Sequence, residues 1–194
     1  MPAHLRPEQI RAGLQHCLAK VGPWSGALFR FTTVRYSNRT DLLTGIGSRK
    51  HGGRWNPPGL FNCVYGSLDP QTALEESMAT FRAYGIPQNQ ARPRVLVAVN
   101  LKLQAVLDLT STQCMRHLGV GRQELTKLDW QANQDCGEEA VTQTIGRLAW
   151  EAELEAILIP SARSEGTNIA VFPGRRRKGS SWKIQGARDL PKEP

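Results

Sequence analysis

Long apolar runs are missing from this chain. The longest, such as Val95–Val99 and Ala156–Ile159, fall far short of the ~20 residues that span a bilayer, so no membrane segment is expected. The N-terminal MPAHLRPEQIRAGLQHCLAK holds no apolar signal core. Secretion is therefore not expected, and the chain reads as cytoplasmic. Cysteine is sparse: Cys17, Cys63, Cys114 and Cys136 stand without CxxC or Cys/His ligand spacing. That spacing speaks for reduced, partly buried cytosolic thiols, and no metal is expected. No internal repeat or low-complexity linker interrupts the chain. A GxGxxG after a strand is missing, which argues against a Rossmann mode of nucleotide binding. A GxSxG is missing too, which argues against a nucleophile elbow. Acidic residues are the minority, with 17 Asp and Glu against 25 Lys and Arg, a formal charge of +8 and a pI near 9.7. Such a balance suits nucleic acid, a polyphosphate substrate or an acidic protein partner equally well.

What is present suffices for one domain. The 194 residues, 40% apolar and 22% charged, match an ordinary globular protein with a real core. Pro7 to Lys20 has helical spacing, with Ile10, Leu14, Cys17 and Leu18 on one face, and Gly22-Pro23 ends it. Ala27 to Thr33 alternates around Phe29 and Phe31 and reads as a strand, with Arg30 on the opposite face. Tyr36 to Gly53 reads as a long polar loop, and Asn62 to Tyr65 as a short strand. Asp69-Pro70 starts a helix, because the Asp satisfies orphan amides and Pro at the first helical position has φ preset. That helix runs to about Ala83 and stops before Gly85-Ile86-Pro87. Strands over Arg94–Leu101 and Ala105–Leu109, helices over Ser111–Leu118 and Gln131–Ala149, and strands over Ala156–Ile159 and Asn168–Phe172 follow. From Gly174 the chain is polar, basic and expected to be loosely held. The reading is a single α+β domain: a helical extension over 1–26, a central unit over 27–173 and a basic tail over 174–194.

Chemistry concentrates between Gly52 and Glu76, in GGRWNPPGLFNCVYGSLDPQTALEE. The paired glycines permit positive φ or close backbone approach. Arg54 beside them can fork onto phosphate oxygens, and Trp55 can stack on a ring or pin a tight turn into the core. Arg30 is a charge in an apolar strand: a solvent-facing residue, or a phosphate clamp if that face lines a cleft. Glu75 and Glu76 lie about two turns into the capped helix. With Leu74, Met78 and Phe81 as the core stripe, Glu76 lies nearly opposite it. Its alternatives are a solvated acidic face or a carboxylate that stabilises a developing cation. Tyr36 and Tyr65 read as packing residues. Ser161, in Pro160-Ser161-Ala162 at a strand end, is suited to hydrogen bonding rather than attack.

Together these features resemble the RES-domain family, the toxin half of RES–Xre toxin–antitoxin pairs. The resemblance rests on Phe29-Arg30, Gly45 to Gly47, the GGRWNPPG of Gly52 to Gly59, and Tyr65 with Glu76 eleven residues on. It continues through Pro160-Ser161-Ala162 and Asn168 to Pro173, and the Asp129-Trp130 pair and the helix leading to Trp150 look like the family's middle region. It covers roughly Phe29 to Pro173. It selects Glu76 over Glu75, and Arg30 over Arg35. Phe31 stands where some members have a tyrosine, so a hydroxyl role is lost there.

The resemblance implies an ADP-ribosyltransferase-like fold, with a cleft between two small mixed sheets, and NAD+ as a consumed substrate. Members cut the nicotinamide–ribose bond, with water, inorganic phosphate or, in some members, a protein as acceptor. It casts Glu76, Arg30 and Ser161 as catalytic. Arg54 joins Arg30 on the diphosphate, Trp55, Tyr65 or Phe31 stack on a ring, and Asn168 and Ser161 orient the nicotinamide ribose or amide. An Xre-like antitoxin and a homodimer are further expectations, with nucleic acid reached only through the antitoxin. Two other readings stand beside it: a protein mono-ADP-ribosyltransferase, and a non-enzymatic nucleic-acid binder using Arg175 to Lys178 with Trp182.

Overall fold

A fifteen-residue strand, β3 (Arg94–Asp108), organises the sheet. The computed structural model describes residues 7–83 and 94–191; the expected helix stop at Gly85-Ile86-Pro87 lies outside them. The sequence reading divided β3 in two at Lys102 and Gln104. The apolar alternation in fact runs straight through, with Val97, Val99, Leu101, Leu103 and Ala105 all buried. β1 (Gly22–Thr33) holds it continuous, pairing antiparallel from Gly22–Val106 to Thr33–Arg94.

The ring then closes through three short strands. β2 (Val64–Ser67) meets β1 at Phe29–Ser67 and pairs antiparallel with β5 (Thr167–Val171). β5 pairs antiparallel with β4 (Ala156–Pro160), and β4 runs parallel to β3 at Val106–Asp108. The expected cleft between two small sheets is therefore corrected to one closed mixed sheet. β3 is long enough to pair with β1 along its length and still offer its last residues to β4. Closure removes the exposed edges that short strands would otherwise present. Leu28, Val64, Val99, Ile169 and Val171, from four strands, pack together within the ring.

The other face of the sheet takes α1 (Pro7–Leu18), α5 (Thr112–Leu118) and α8 (Val141–Glu151). α1 inserts Ile10, Leu14 and Cys17 against α5 and α8. With Ile157 and Ala170 from the sheet and Phe172 just past β5 they form the second core cluster. The stretch read as a polar loop contains α2 (Arg39–Thr44) and α3 (Ile46–His51), joined at Gly45 with φ 66°. Two six-residue helices are too short to show periodicity, although Asn38 caps α2 by accepting from the Asp41 amide at 3.0 Å. The middle region holds α6 (Arg122–Lys127) and α7 (Trp130–Asp135) as well, and the helix expected over Gln131–Ala149 breaks at Gly137, whose φ is 75°.

The basic tail is docked, not loose. β6 (Ser181–Ile184) adds to β3 beside Val99–Lys102. Arg175 lies over the Trp150 ring at 4.0 Å, and Arg177 donates to the Glu153 carbonyl at 2.9 Å. The anchor is Glu155, fully buried. Its carboxylate accepts from the amides of Gln104 at 2.5 Å, Ala105 at 3.1 Å and Arg177 at 2.9 Å. It fills the gap on β3 between the stretch paired to β6 and the stretch paired to β4, where backbone donors would otherwise be orphaned.

Burial alone would raise the Glu155 pKa, but the nearby Ser180 hydroxyl and the three amides outweigh it and hold it below the ordinary carboxylate value. A depressed folded pKa contributes stability above the unfolded value and loses it as pH falls through the folded one. Glu155→Gln is therefore expected to destabilise by ~1–3 kcal/mol at neutral pH. Urea unfolding at a series of pH values should show that deficit shrinking below about pH 4; a deficit independent of pH would mean the charge is not what anchors β3.

Candidate active site

The site is assembled where α4 (Pro70–Ala83) crosses the sheet. Asp69 caps the helix, accepting from the Thr72 amide at 2.8 Å, as the sequence predicts. The packed stripe differs from the expected one. Thr72, Ala73 and Ala79 are buried while Leu74 and Met78 are only half-buried, so the inward face centres on Glu76. Small side chains at those positions let the helix approach closely and bring the carboxylate down onto polar partners.

Those partners come from the sheet. Phe29, Ser67, Asn168 and Ile159 are successive cross-strand neighbours on β1, β2, β5 and β4. Asn168 donates from Nδ2 to Glu76 Oε1 at 2.7 Å, and its Oδ1 accepts from the Ser67 hydroxyl at 2.7 Å. The same Oε1 accepts from the Ser161 hydroxyl at 2.6 Å and the Ala162 amide at 3.1 Å. Ser161 Oγ in turn accepts from the amides of Arg163 at 3.0 Å and Ser164 at 3.1 Å. Ser161 thus donates to Glu76, accepts from two amides and is only 3% exposed, a geometry suited to hydrogen bonding.

The GGRWN segment forms the opposite wall. Gly53 and Asn56 exchange backbone hydrogen bonds at 2.9 and 3.3 Å. The Tyr65 hydroxyl pins this turn, accepting from the Trp55 amide at 3.0 Å and donating to Asn56 Oδ1 at 2.7 Å. Gln143, buried on α8, donates to the Gly53 carbonyl at 3.1 Å. Gly146 on the same helix admits the turn, since a Cβ there would collide with the Trp55 carbonyl. Trp55 is 1% exposed and belongs to the core. Of its two sequence readings, the geometry matches the pinned turn. Burial pushes the Tyr65 phenol far above its ordinary pKa, which suits a fixed hydrogen-bonding group.

Both arginines are held by backbone carbonyls. Arg30 Nη1 donates to Leu42 at 3.0 Å, and Arg54 Nη1 donates to Leu128 at 2.9 Å and Leu125 at 3.3 Å. Burial lowers the pKa of each; Cys63 and Asp41 oppose this at Arg30, and Glu76 opposes it at Arg54. The Cys63 thiol itself is pushed up to about 12 by burial and is inert.

One cavity of about 540 Å³ unites these groups. Arg30, Phe31, Arg54, Trp55, Tyr65, Glu76 and Asn168 all line it, as do Phe29 and Ser67. Ser161 is not part of the lining but is hydrogen-bonded to Glu76, which is. Sequence reasoning missed Ser67, Ser77, Gln131 and Arg163, which also line the cavity, and Gln143, which braces it. Trp130, noticed only as part of a pair with Asp129, lines it half-buried. The Ser77 hydroxyl is buried with no partner among the described residues. Among those residues no group of three His, Cys, Asp or Glu gathers as a metal site would require, and no helix is long and apolar enough to cross a membrane.

The family model of the RES domain matches residues 27–192. The NAD(+) phosphorylase MbcT of Mycobacterium bovis is 28% identical over 158 residues, covering 80% of this chain and 78% of the relative. MbcT of Mycobacterium tuberculosis H37Rv gives the same figures. In three dimensions the chain is similar to a chain of the M. tuberculosis MbcT–MbcA toxin–antitoxin complex, with a TM-score of 0.70 and 23% identity, covering 94% of this chain and 98% of that one. At that identity the likeness speaks for the fold.

Removing the Ser161 hydroxyl strips Glu76 of one donor and orphans two amides. Ser161→Ala is therefore expected to lose ~1–3 kcal/mol of stability, read by denaturant unfolding. An unchanged midpoint would show that solvent replaces the hydroxyl and that the serine does not hold the carboxylate.

Proposed function

The chain belongs to the RES-domain family, and from that premise we propose that it is an NAD+-degrading toxin that cleaves the nicotinamide–ribose bond, with inorganic phosphate or water as acceptor. The observation that carries this reading is Glu76, its carboxylate held by three donors at the wall of a cavity that also presents Arg30 and Arg54. Nicotinamide in NAD+ is already cationic and leaves without a general acid. The departing ribosyl becomes oxocarbenium-like, and a fixed carboxylate stabilises that charge without reorganising. Arg30 and Arg54 supply forks for the diphosphate. Asn168, tied to Ser67 and Glu76, is placed to orient the ribose or amide. Phe31 offers a ring face for stacking; Tyr65 contributes chiefly by holding the turn, and Trp55 as its buried floor.

The curated relatives carry the name NAD(+) phosphorylase, which supports phosphate over a protein as acceptor. The nucleic-acid reading had expected a loosely held tail, whereas the described part of the tail is docked. Arg175 stacks on Trp150, and Arg176 and Arg177 donate to the carbonyls of Ser180 and Glu153. We read the closed mixed sheet as an ADP-ribosyltransferase-like core. The relative solved with MbcA supports an antitoxin partner, which we take to be Xre-like and to cover the cavity mouth through an acidic segment. Homodimerisation belongs to the same family-based reading.

Purified protein incubated with NAD+ and phosphate should release nicotinamide. Glu76→Gln, which keeps the shape and the acceptor oxygen but removes the charge, should slow this by about 10²–10³-fold. If a folded Glu76→Gln protein consumes NAD+ at the wild-type rate, the carboxylate mechanism is wrong.

A further inference from the structure

Arg163 stands apart from the other cations of the site. Its backbone is fixed, because its amide donates to Ser161 Oγ and the preceding amide, of Ala162, donates to Glu76. Its side chain is exposed yet lines the cavity. Among the described residues no hydrogen bond or ion pair engages its guanidinium. Arg30 and Arg54, by contrast, are anchored on carbonyls of the wall. Arg163 is also close enough to Arg54 for the two like charges to repel, which adds to the lowering of the Arg54 pKa. Two guanidiniums face one space and neither is ion-paired among the described residues; the Glu76 carboxylate acts on Arg54 but leaves Arg163 unpaired, and together they make a place for a dianion.

The position decides which dianion. The residue begins one peptide from the amide that holds the Glu76 carboxylate, so its side chain departs from the reacting end of the cavity and reaches toward solvent. An acceptor must arrive from solvent at that end. We propose that Arg163 binds the inorganic phosphate acceptor, with the Arg54 charge behind it, and thereby sets the choice between phosphorolysis and hydrolysis. The inference rests on the NAD+-cleaving reading above. In the step, a hydrogenphosphate oxygen bonds to the ribose C1 as the C1–N bond breaks. That electron pair leaves with neutral nicotinamide, and ADP-ribose 1-phosphate forms with no net proton transfer. The positively charged pair offsets the repulsion between the incoming dianion and Glu76, an offset that water does not need.

The test compares wild type, Arg163→Gln and Arg163→Lys at saturating NAD+ over a titration of inorganic phosphate, with chromatographic separation of ADP-ribose from ADP-ribose 1-phosphate. Arg163→Gln should raise the KM for phosphate about tenfold or more, shift the product toward ADP-ribose and leave the KM for NAD+ within about twofold. Arg163→Lys should recover part of the phosphate dependence. A raised KM for NAD+ with unchanged phosphate dependence overturns the proposal and assigns Arg163 to the substrate's diphosphate. A wild type that consumes NAD+ without responding to phosphate also overturns it, while leaving NAD+ cleavage standing. A wild type that consumes no NAD+ overturns both.

Discussion

Three donors converge on a single oxygen of Glu76, and through them a helix, a strand and a strand-exit loop are locked to one another. The Ser161 hydroxyl and Ala162 amide bring the loop after β4, and the Asn168 amide brings β5. Behind them stand Ser67 on β2 and the amides of Arg163 and Ser164. A buried polar network of this kind is stabilising only when every member is satisfied. Here each participating side chain has its partner, so the carboxylate is pinned before any ligand arrives. That is the condition under which a charge can act on a transition state without paying for reorganisation.

The closed sheet makes that convergence possible. Phe29, Ser67, Asn168 and Ile159 fall in one cross-strand row only because β1, β2, β5 and β4 hold a shared register. A slip of one residue on β5 would turn Asn168 away from Glu76 and expose Ile169 in its place. The ring is secured on its far side by a second carboxylate, Glu155, which takes up the β3 amides where the strand changes partners. The buried Glu155 takes its hydrogen bonds from backbone amides and is structural. The half-buried Glu76 draws on two side chains and one amide and opens onto a cavity.

Much of this was legible from residue order. Asp69-Pro70 announced α4 and the alternation around Phe29 announced β1, while the choice of Glu76 over Glu75 came from the resemblance to the RES-domain family, and it is Glu76 that lines the cavity. The failures have physical causes. The inward stripe of α4 was misassigned because hydrophobicity favoured Leu74 and Met78, whereas close approach favoured Thr72, Ala73 and Ala79. The tail read as loose because its composition is basic and polar; what docks it is a carboxylate far earlier in the chain and a cation–π contact with Trp150. Long-range pairings such as Gln143 with the Gly53 carbonyl leave no local signal. Arg163 could have been noticed beside Pro160-Ser161-Ala162, but a surface arginine has no distinguishing pattern until the cavity is seen.

The way the half-buried Arg30 and Arg54 are held has a consequence for what the cavity attracts. Arg30 and Arg54 donate to carbonyl oxygens of Leu42, Leu125 and Leu128, and among the described residues neither is ion-paired. A carbonyl satisfies a guanidinium's hydrogen-bonding demand without cancelling its charge, whereas a salt bridge would do both. Each arginine is therefore fixed in direction and still electropositive, in a space where the low dielectric leaves that charge little screened. Partly desolvating two such cations is costly and lowers the pKa of each. An anionic ligand repays that cost. Glu76 supplies the opposing charge at one point only, so the cavity favours a ligand with a compact anionic group in one part and a cation in another, which is the charge pattern of NAD+, with its central diphosphate and its nicotinamide cation.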